Sequence, residues 1–192
     1  MPTFYHFTSR LYLPTILRKG IQKGDVATSP DMGFNAPWLT TNADYNAQGW
    51  CRSSFLDKTE VRLSVEIPDN DPNLWTWAKL IKEYEMDEFW VEALSIKIGQ
   101  NPSHWFIYMG GISPMRITEI RERQGLQPFD RQAYIDTLPD QFAHLTHEGP
   151  LGEVVPCTRK ATTKEDFLES LGAELLPPAP RIGVWGVGKS HA

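Results

Sequence analysis

Val61-Arg62-Leu63-Ser64-Val65-Glu66-Ile67 alternates branched apolar residues with polar ones, and Pro68 stops the pattern. A period of two puts Val61, Leu63, Val65 and Ile67 on one face of a β-strand and Arg62, Ser64 and Glu66 on the other. Proline cannot donate into a continuing ladder, so the strand ends there. One face of this strand is built for a core, and the other is free to carry chemistry.

Upstream, Phe4-Tyr5-His6-Phe7 is a short aromatic strand, and Thr8 or Ser9 is placed to cap a helix bearing Leu11, Leu13, Ile16 and Leu17. Arg18-Lys19-Gly20 is the residue order of a helix C-terminus. Gln22 to Pro37 holds Gly24, Pro30, Gly33 and Pro37 and reads as a loop with little regular structure. Trp38-Leu39-Thr40-Thr41 is the next strand, and Asn42 or Asp44 opens a helical turn. Downstream, Asn73 to Leu94 reads as helical, through Leu74, Trp77, Ala78, Ile81, Phe89, Trp90, Ala93 and Leu94. Trp105-Phe106-Ile107-Tyr108 is a strand closed by Gly110-Gly111, and Arg116-Ile117-Thr118-Glu119-Ile120 is the last one. Strands and helices in this order define an α+β fold.

After Gly125 the prolines at 128, 139, 150, 156 and 177–180 interrupt the chain, leaving one short helix announced by the capping box Thr163-Lys164-Glu165-Asp166. The expected division is an α+β domain over residues 1–124 and a Pro-rich extension, 125–192, that packs on it or is partly irregular. The 192 residues carry 19 Lys and Arg against 24 Asp and Glu, a net charge of −5. That balance speaks against a dedicated nucleic-acid binder but not against an enzyme acting on one. Cys51 and Cys157 make neither a disulfide framework nor a metal cluster. The N-terminus lacks the layout of a signal peptide and no run of about 18 apolar residues occurs, so the expected location is cytoplasmic, without a membrane partner.

His6, Leu13-Pro14-Thr15-Ile16-Leu17 leading to Gly20-Ile21, and Trp38-Leu39-Thr40-Thr41 form a recognisable combination. A His-x-Thr first strand, a Leu-Pro-x-Ile-Leu-x-x-Gly-Ile helix and an aromatic-Leu-Thr second strand resemble the small ADP-ribosyltransferase-like proteins, over about residues 3 to 121. Rifampin-type and DarT-type ADP-ribosyltransferases open in a similar way, and the chain looks most like uncharacterised bacterial and phage members. The resemblance implies a split β-sheet with flanking helices and a cleft that grips NAD, consumed as a substrate without a metal. It implies that His6 touches the ribose or nicotinamide amide, that Trp38 stacks on the nicotinamide, and that Thr8, Thr40 and Thr41 line the cleft.

An acidic residue in such proteins stabilises the sugar cation left when the nicotinamide bond breaks. The candidates here are Glu119, Asp71 in the acidic loop after the long strand, and Glu92. The Gln/Glu-x-Glu triplet frequent near the last strand is absent, because Thr118-Glu119 is followed by Glu122. The bland alternative makes these carboxylates solvated surface groups. Arg62 is either a partner for a pyrophosphate, with Lys58 and Arg52 adding to a basic spot, or an ordinary cross-strand charge. His6 itself is either a ligand-positioning group or a satisfied core histidine.

Three function classes follow: transfer of ADP-ribose from NAD to a macromolecule or small molecule, an RNA 2′-phosphotransferase-like reaction, or a non-catalytic phage or mobile-element module that blocks a host factor. The tryptophans at 75, 77, 90 and 105 read as aromatic core. Gly183 to Ser190 fits a phosphate loop letter for letter, but two residues remain after it and no helix can follow to present its amides. His144, His147 and Glu148 read as a solvated turn rather than a metal site.

Overall fold

In the computed structural model, which describes residues 1–48, 56–98 and 101–171, β1 (Thr3–Thr8) runs through the interior of a six-stranded antiparallel sheet. On one side it pairs with β5 (Val61–Glu66) along its whole length, from Thr3↔Glu66 to Thr8↔Val61. On the other it meets β4 (Trp38–Thr40) at the single register position Tyr5↔Thr40. Beyond β5 lies β8 (Ile117–Glu122), and beyond β4 lie β7 (Trp105–Tyr108) and β6 (Leu74–Thr76), giving the order β6-β7-β4-β1-β5-β8. The chain is an α+β protein, and among the described residues no helix is long and apolar enough to cross a membrane.

The alternation at 61–67 decides one core. Val61, Leu63, Val65 and Ile67 are fully buried, and they meet Phe4, Leu39 and the inner face of α1 (Leu13–Lys19) through Leu13 and Ile16. A second cluster fills the opposite face at the other end of the sheet. There Trp105 and Ile107 pack on Trp77 and Leu80 of α2 (Trp77–Glu83), with Val26, Phe34 and Met86. The tryptophan positions form this aromatic cluster: Trp77 and Trp105 have ring centres 5.5 Å apart, and Trp38 lies 5.6 Å from Trp77.

Three local expectations are corrected. Residues 22–37 hold a hairpin, β2 (Asp25–Ala27) with β3 (Met32–Asn35), turned by Ser29, whose hydroxyl accepts the Met32 N–H. The glycines and proline mark its turn and a close approach, since a Cβ on Gly33 would collide with the His147 ring and the Val26 carbonyl. Leu74–Thr76 is strand rather than helix, and Thr76 then caps α2 by accepting from the Lys79 N–H. The helical stretch is broken before α3 (Glu88–Ile98) at Glu85, whose φ is 46°. Ser9 does not cap α1. Tyr12 holds that position, and the Ser9 hydroxyl donates to Glu60 at 2.7 Å.

The segment after Gly125 carries more structure than one helix: α4 (Arg131–Asp136), β9 (Gln141–Thr146), β10 (Val155–Pro156), β11 (Thr158–Thr163) and α5 (Lys164–Ser170). β8 is therefore not the last strand. Thr163 does cap α5, accepting from the Asp166 N–H at 3.1 Å. β10 adds to β3, and Ile135, Leu138 and Phe167 close over Leu11 and Leu56. Glu60, almost fully buried, binds the Arg10 guanidinium and backbone N–H, while Arg10 Nη1 donates to the Gln127 carbonyl and its guanidinium lies over Phe129. The expected solvated turn is also corrected at His147, which is buried and bonded to Asp25. The phosphate-loop-like run at 183–190, the prolines at 177–180, Cys51 and Arg52 lie outside the described residues.

Gly20 ends α1 with φ 83° and ψ −177°, a region open essentially to glycine alone. A Cβ there would overlap the Ile112 carbonyl oxygen, which accepts the Ile21 N–H and so ties α1 to the sheet core. Gly20→Ala is expected to cost at least about 2 kcal/mol of unfolding free energy, read as a lower urea midpoint at unchanged slope.

Candidate functional site

β1 and β4 are neighbours in the sheet and pair at the one register position Tyr5↔Thr40. His6 follows Tyr5 on β1. Its Nδ1 donates to the Trp38 carbonyl at 2.9 Å, a side-chain bond between the two strands that satisfies a main-chain acceptor. A carbonyl can only accept, so Nδ1 carries the proton and Nε2 is left as an acceptor, with no partner among the described residues. Desolvation by burial pulls the imidazole pKa from 6.5 down to about 4, against the opposing pull of the Trp38 carbonyl, and the Lys58 charge lowers it further. The ring is neutral at physiological pH.

Strand alternation then separates the expected site residues. Tyr5, Thr40, Arg62, Ser64 and Glu119 share one face through the registers Tyr5↔Thr40, Tyr5↔Ser64, Phe7↔Arg62 and Ser64↔Glu119. His6 and Thr8 point to the other face, opposite Leu63 and Val61. Trp38, two residues from Thr40, shares the Thr40 face, so its indole does not look at the His6 imidazole across a crevice. That indole sits in the tryptophan cluster, and its Nε1 donates to the Asp25 carbonyl at 2.8 Å.

The face shared by Tyr5, Arg62, Ser64 and Glu119 is a built polar surface. The Arg62 guanidinium lies 5.0 Å from the Tyr5 ring centre and 5.5 Å from that of Tyr45, which stands over the sheet on a 3-10 turn capped by Asp44. Arg62 Nη1 donates to the Ala43 carbonyl at 2.7 Å, and its Nε is buried with no hydrogen-bond partner. This is not the ordinary exposed cross-strand charge.

Glu119 Oε2 accepts from the Ser64 hydroxyl at 3.0 Å, and Oε1 from Arg121 Nε at 2.7 Å. The Arg121 hydrogen bond is the main force holding the Glu119 carboxyl below the usual carboxylate range; the Ser64 hydroxyl and the charges of Arg121 and Arg62 add to it, outweighing desolvation. An ionised carboxylate, an arginine with a donor to spare and two phenol rings therefore face the same way. Such a set can bind a phosphorylated nucleoside and favour positive charge next to it.

The other candidates lie elsewhere. The Asp71 carboxylate is buried and committed, accepting from Arg116 Nη1 at 2.8 Å, the Tyr108 hydroxyl at 3.1 Å and the Asn73 N–H at 3.0 Å. Burial alone would raise it, but these donors win and hold it below its usual value. Glu92 is exposed on α3. Thr40 Oγ1 is buried and accepts the Asn42 N–H, while Thr41 Oγ1 is bonded to His104 Nδ1 at 2.7 Å.

Ser64, Tyr5, Tyr45 and Arg121 escaped the sequence reading as site residues. The alternation put Ser64 beside Arg62, but its partner Glu119 comes from a strand 55 residues away. Among the described residues, no three His, Cys, Asp or Glu side chains gather as a metal site would require. Compared with known proteins, the chain matches no family model, no curated protein and no solved structure.

The His6 shift sets a pH dependence. Above 6.5 the ring is neutral in both folded and unfolded chains. Between 6.5 and about 4 the unfolded chain takes up a proton that the folded one refuses, so stability falls as pH drops through that window, by up to about 3 kcal/mol. Urea titrations across this range are expected to show that slope in the parent chain. His6→Asn, which keeps a donor for the Trp38 carbonyl but cannot titrate, should flatten it.

Proposed function

We propose that the protein is an NAD-consuming enzyme of the ADP-ribosyltransferase type, moving ADP-ribose to a macromolecule or small molecule, and that its reacting centre is the polar sheet face of Arg62, Ser64 and Glu119. The observation that carries this reading is the Glu119 carboxylate, oriented by the Ser64 hydroxyl and kept ionised by Arg121 on the face where the Arg62 guanidinium lies. The short β1–β4 pairing, with the His6 imidazole bonded across it to the Trp38 carbonyl, supports the same reading, because the resemblance carried by His6, Trp38 and Thr40 implies a sheet that opens near these residues.

Loss of nicotinamide leaves positive charge on the sugar. The bonding pair leaves with the pyridinium ring as neutral nicotinamide. A carboxylate fixed beside the sugar favours the charge there more than it favours the ground state, in which the charge sits on the ring, and so lowers the barrier. Ser64 prevents the carboxylate from rotating away, and Arg121 prevents its protonation. Arg62 supplies positive charge for an anionic phosphate, its guanidinium already restrained between Tyr5 and Tyr45, so little freedom is lost on binding. His6 bonds β1 to β4 through the Trp38 carbonyl and offers Nε2 as an acceptor toward a hydroxyl on the opposite face.

A second reading has its own observation. His6 and Glu119 project from opposite faces and cannot reach one sugar together, which favours a module that binds without turnover.

Incubation with NAD and measurement of released nicotinamide separates the readings. Glu119→Gln is expected to lower kcat by about 100-fold or more with KM little changed. Arg62→Gln is expected to raise KM for NAD about 10-fold, the loss of one charge-assisted hydrogen bond. Release that survives Glu119→Gln but vanishes in a folded His6→Asn would move the centre to the other face. No release from the parent chain under any acceptor would leave the binding module.

A further inference from the structure

β8 is the outer strand of the six-stranded sheet, and β5 is its one strand neighbour among the described residues. Arg123 N–H donates to the Glu60 carbonyl at 2.8 Å, so the main-chain groups of Arg123 and, by alternation, Arg121 face β5. Those of Ile120 and Glu122 face away from it. An open edge of this kind is a template for another strand. Its residues mix apolar and polar side chains. Ile120 is 36% exposed amid charges, and Glu119 and Arg121 flank it with side chains 40% and 61% exposed.

We infer that β8 pairs antiparallel with β8 of a second copy of this chain, with Ile120 on the two-fold axis. Only outward-facing residues can exchange ladder bonds, so Ile120 must meet Ile120 or Glu122 of the other copy, or the axis must shift further along. With Ile120 opposite Ile120, each Glu119 faces an Arg121 across the seam, twice by symmetry, and Thr118 faces Glu122. A shift by one pairing step puts Arg121 against Arg121 in one direction and Glu119 against Glu119 in the other. The register that overlaps the strand fully is therefore also the one that the charges select. The pairing is isologous, so it closes as a dimer rather than a filament, and the two sheets become one continuous sheet. The seam needs no ligand, but it shares Glu119 and Arg121 with the site under Proposed function; sedimentation reads mass and not nicotinamide release, so the two readings fail separately.

The test is the solution mass of the full chain by sedimentation across a concentration series, with circular dichroism to confirm that each variant is folded. The parent chain is expected to reach twice the monomer mass. Glu119→Arg places arginine against arginine and Arg121→Glu places glutamate against glutamate, so each alone is expected to lose the dimer. An equimolar mixture of the two single variants restores Arg–Glu pairs at both positions and is expected to recover the dimer mass. A simple loss of folding cannot produce that rescue. A monomeric parent chain at every concentration overturns the inference, as does a dimer that both single variants retain, or a mixture that stays monomeric.

Discussion

The imidazole of His6 bonded to the Trp38 carbonyl is the constraint on which the rest of the sheet depends. Two antiparallel strands normally satisfy one another through main-chain bonds along their common length. Here β1 and β4 share one register position. A half-buried carbonyl left unpaired beside it would cost about 1–3 kcal/mol. The histidine removes that cost at the Trp38 carbonyl, and burial keeps the ring neutral so that no charge is carried into the sheet.

With β1 fixed in this way, the sheet has two different faces near its centre. One is closed by α1 and by the apolar half of the 61–67 alternation. The other changes character along its width, from tryptophans under α2 at the β7 side to Tyr5, Arg62, Ser64 and Glu119 at the β8 side. The aromatic half supplies burial, and the polar half holds the Ser64–Glu119 hydrogen bond and the Arg62 contacts. The pairing of Arg62 with two tyrosine rings is the bridge between these regimes, because the guanidinium stacks like an apolar group yet retains donors at its rim.

The buried Arg10–Glu60 pair does comparable work for the later part of the chain. It is bonded on all sides, to the Arg10 backbone, Ser9 and the Gln127 carbonyl, and Ser9 in turn meets the Tyr134 hydroxyl. A buried ion pair adds little net stability by itself but is costly to break from one side. Its effect here is positional, holding residues 127–134 against the end of β1.

The amino-acid sequence by itself determined the elements whose signals are local. Alternation at 61–67, Gly20 after Arg18-Lys19, the Asp44 turn and the Thr163 cap all depend on residues within one or two turns of each other, and each stands where the pattern put it. The hairpin at 25–35 and the strand at 74–76 were hidden because neighbouring strands, not their own propensity, make them extended. Tertiary structure alone decided which polar residues share a face. His6, Glu119 and Asp71 look equivalent as letters, but a strand inverts its side-chain direction at every step. The register across β1, β5 and β8 therefore places Glu119 with Ser64 and Arg62, turns His6 away, and leaves Asp71 bonded to Arg116.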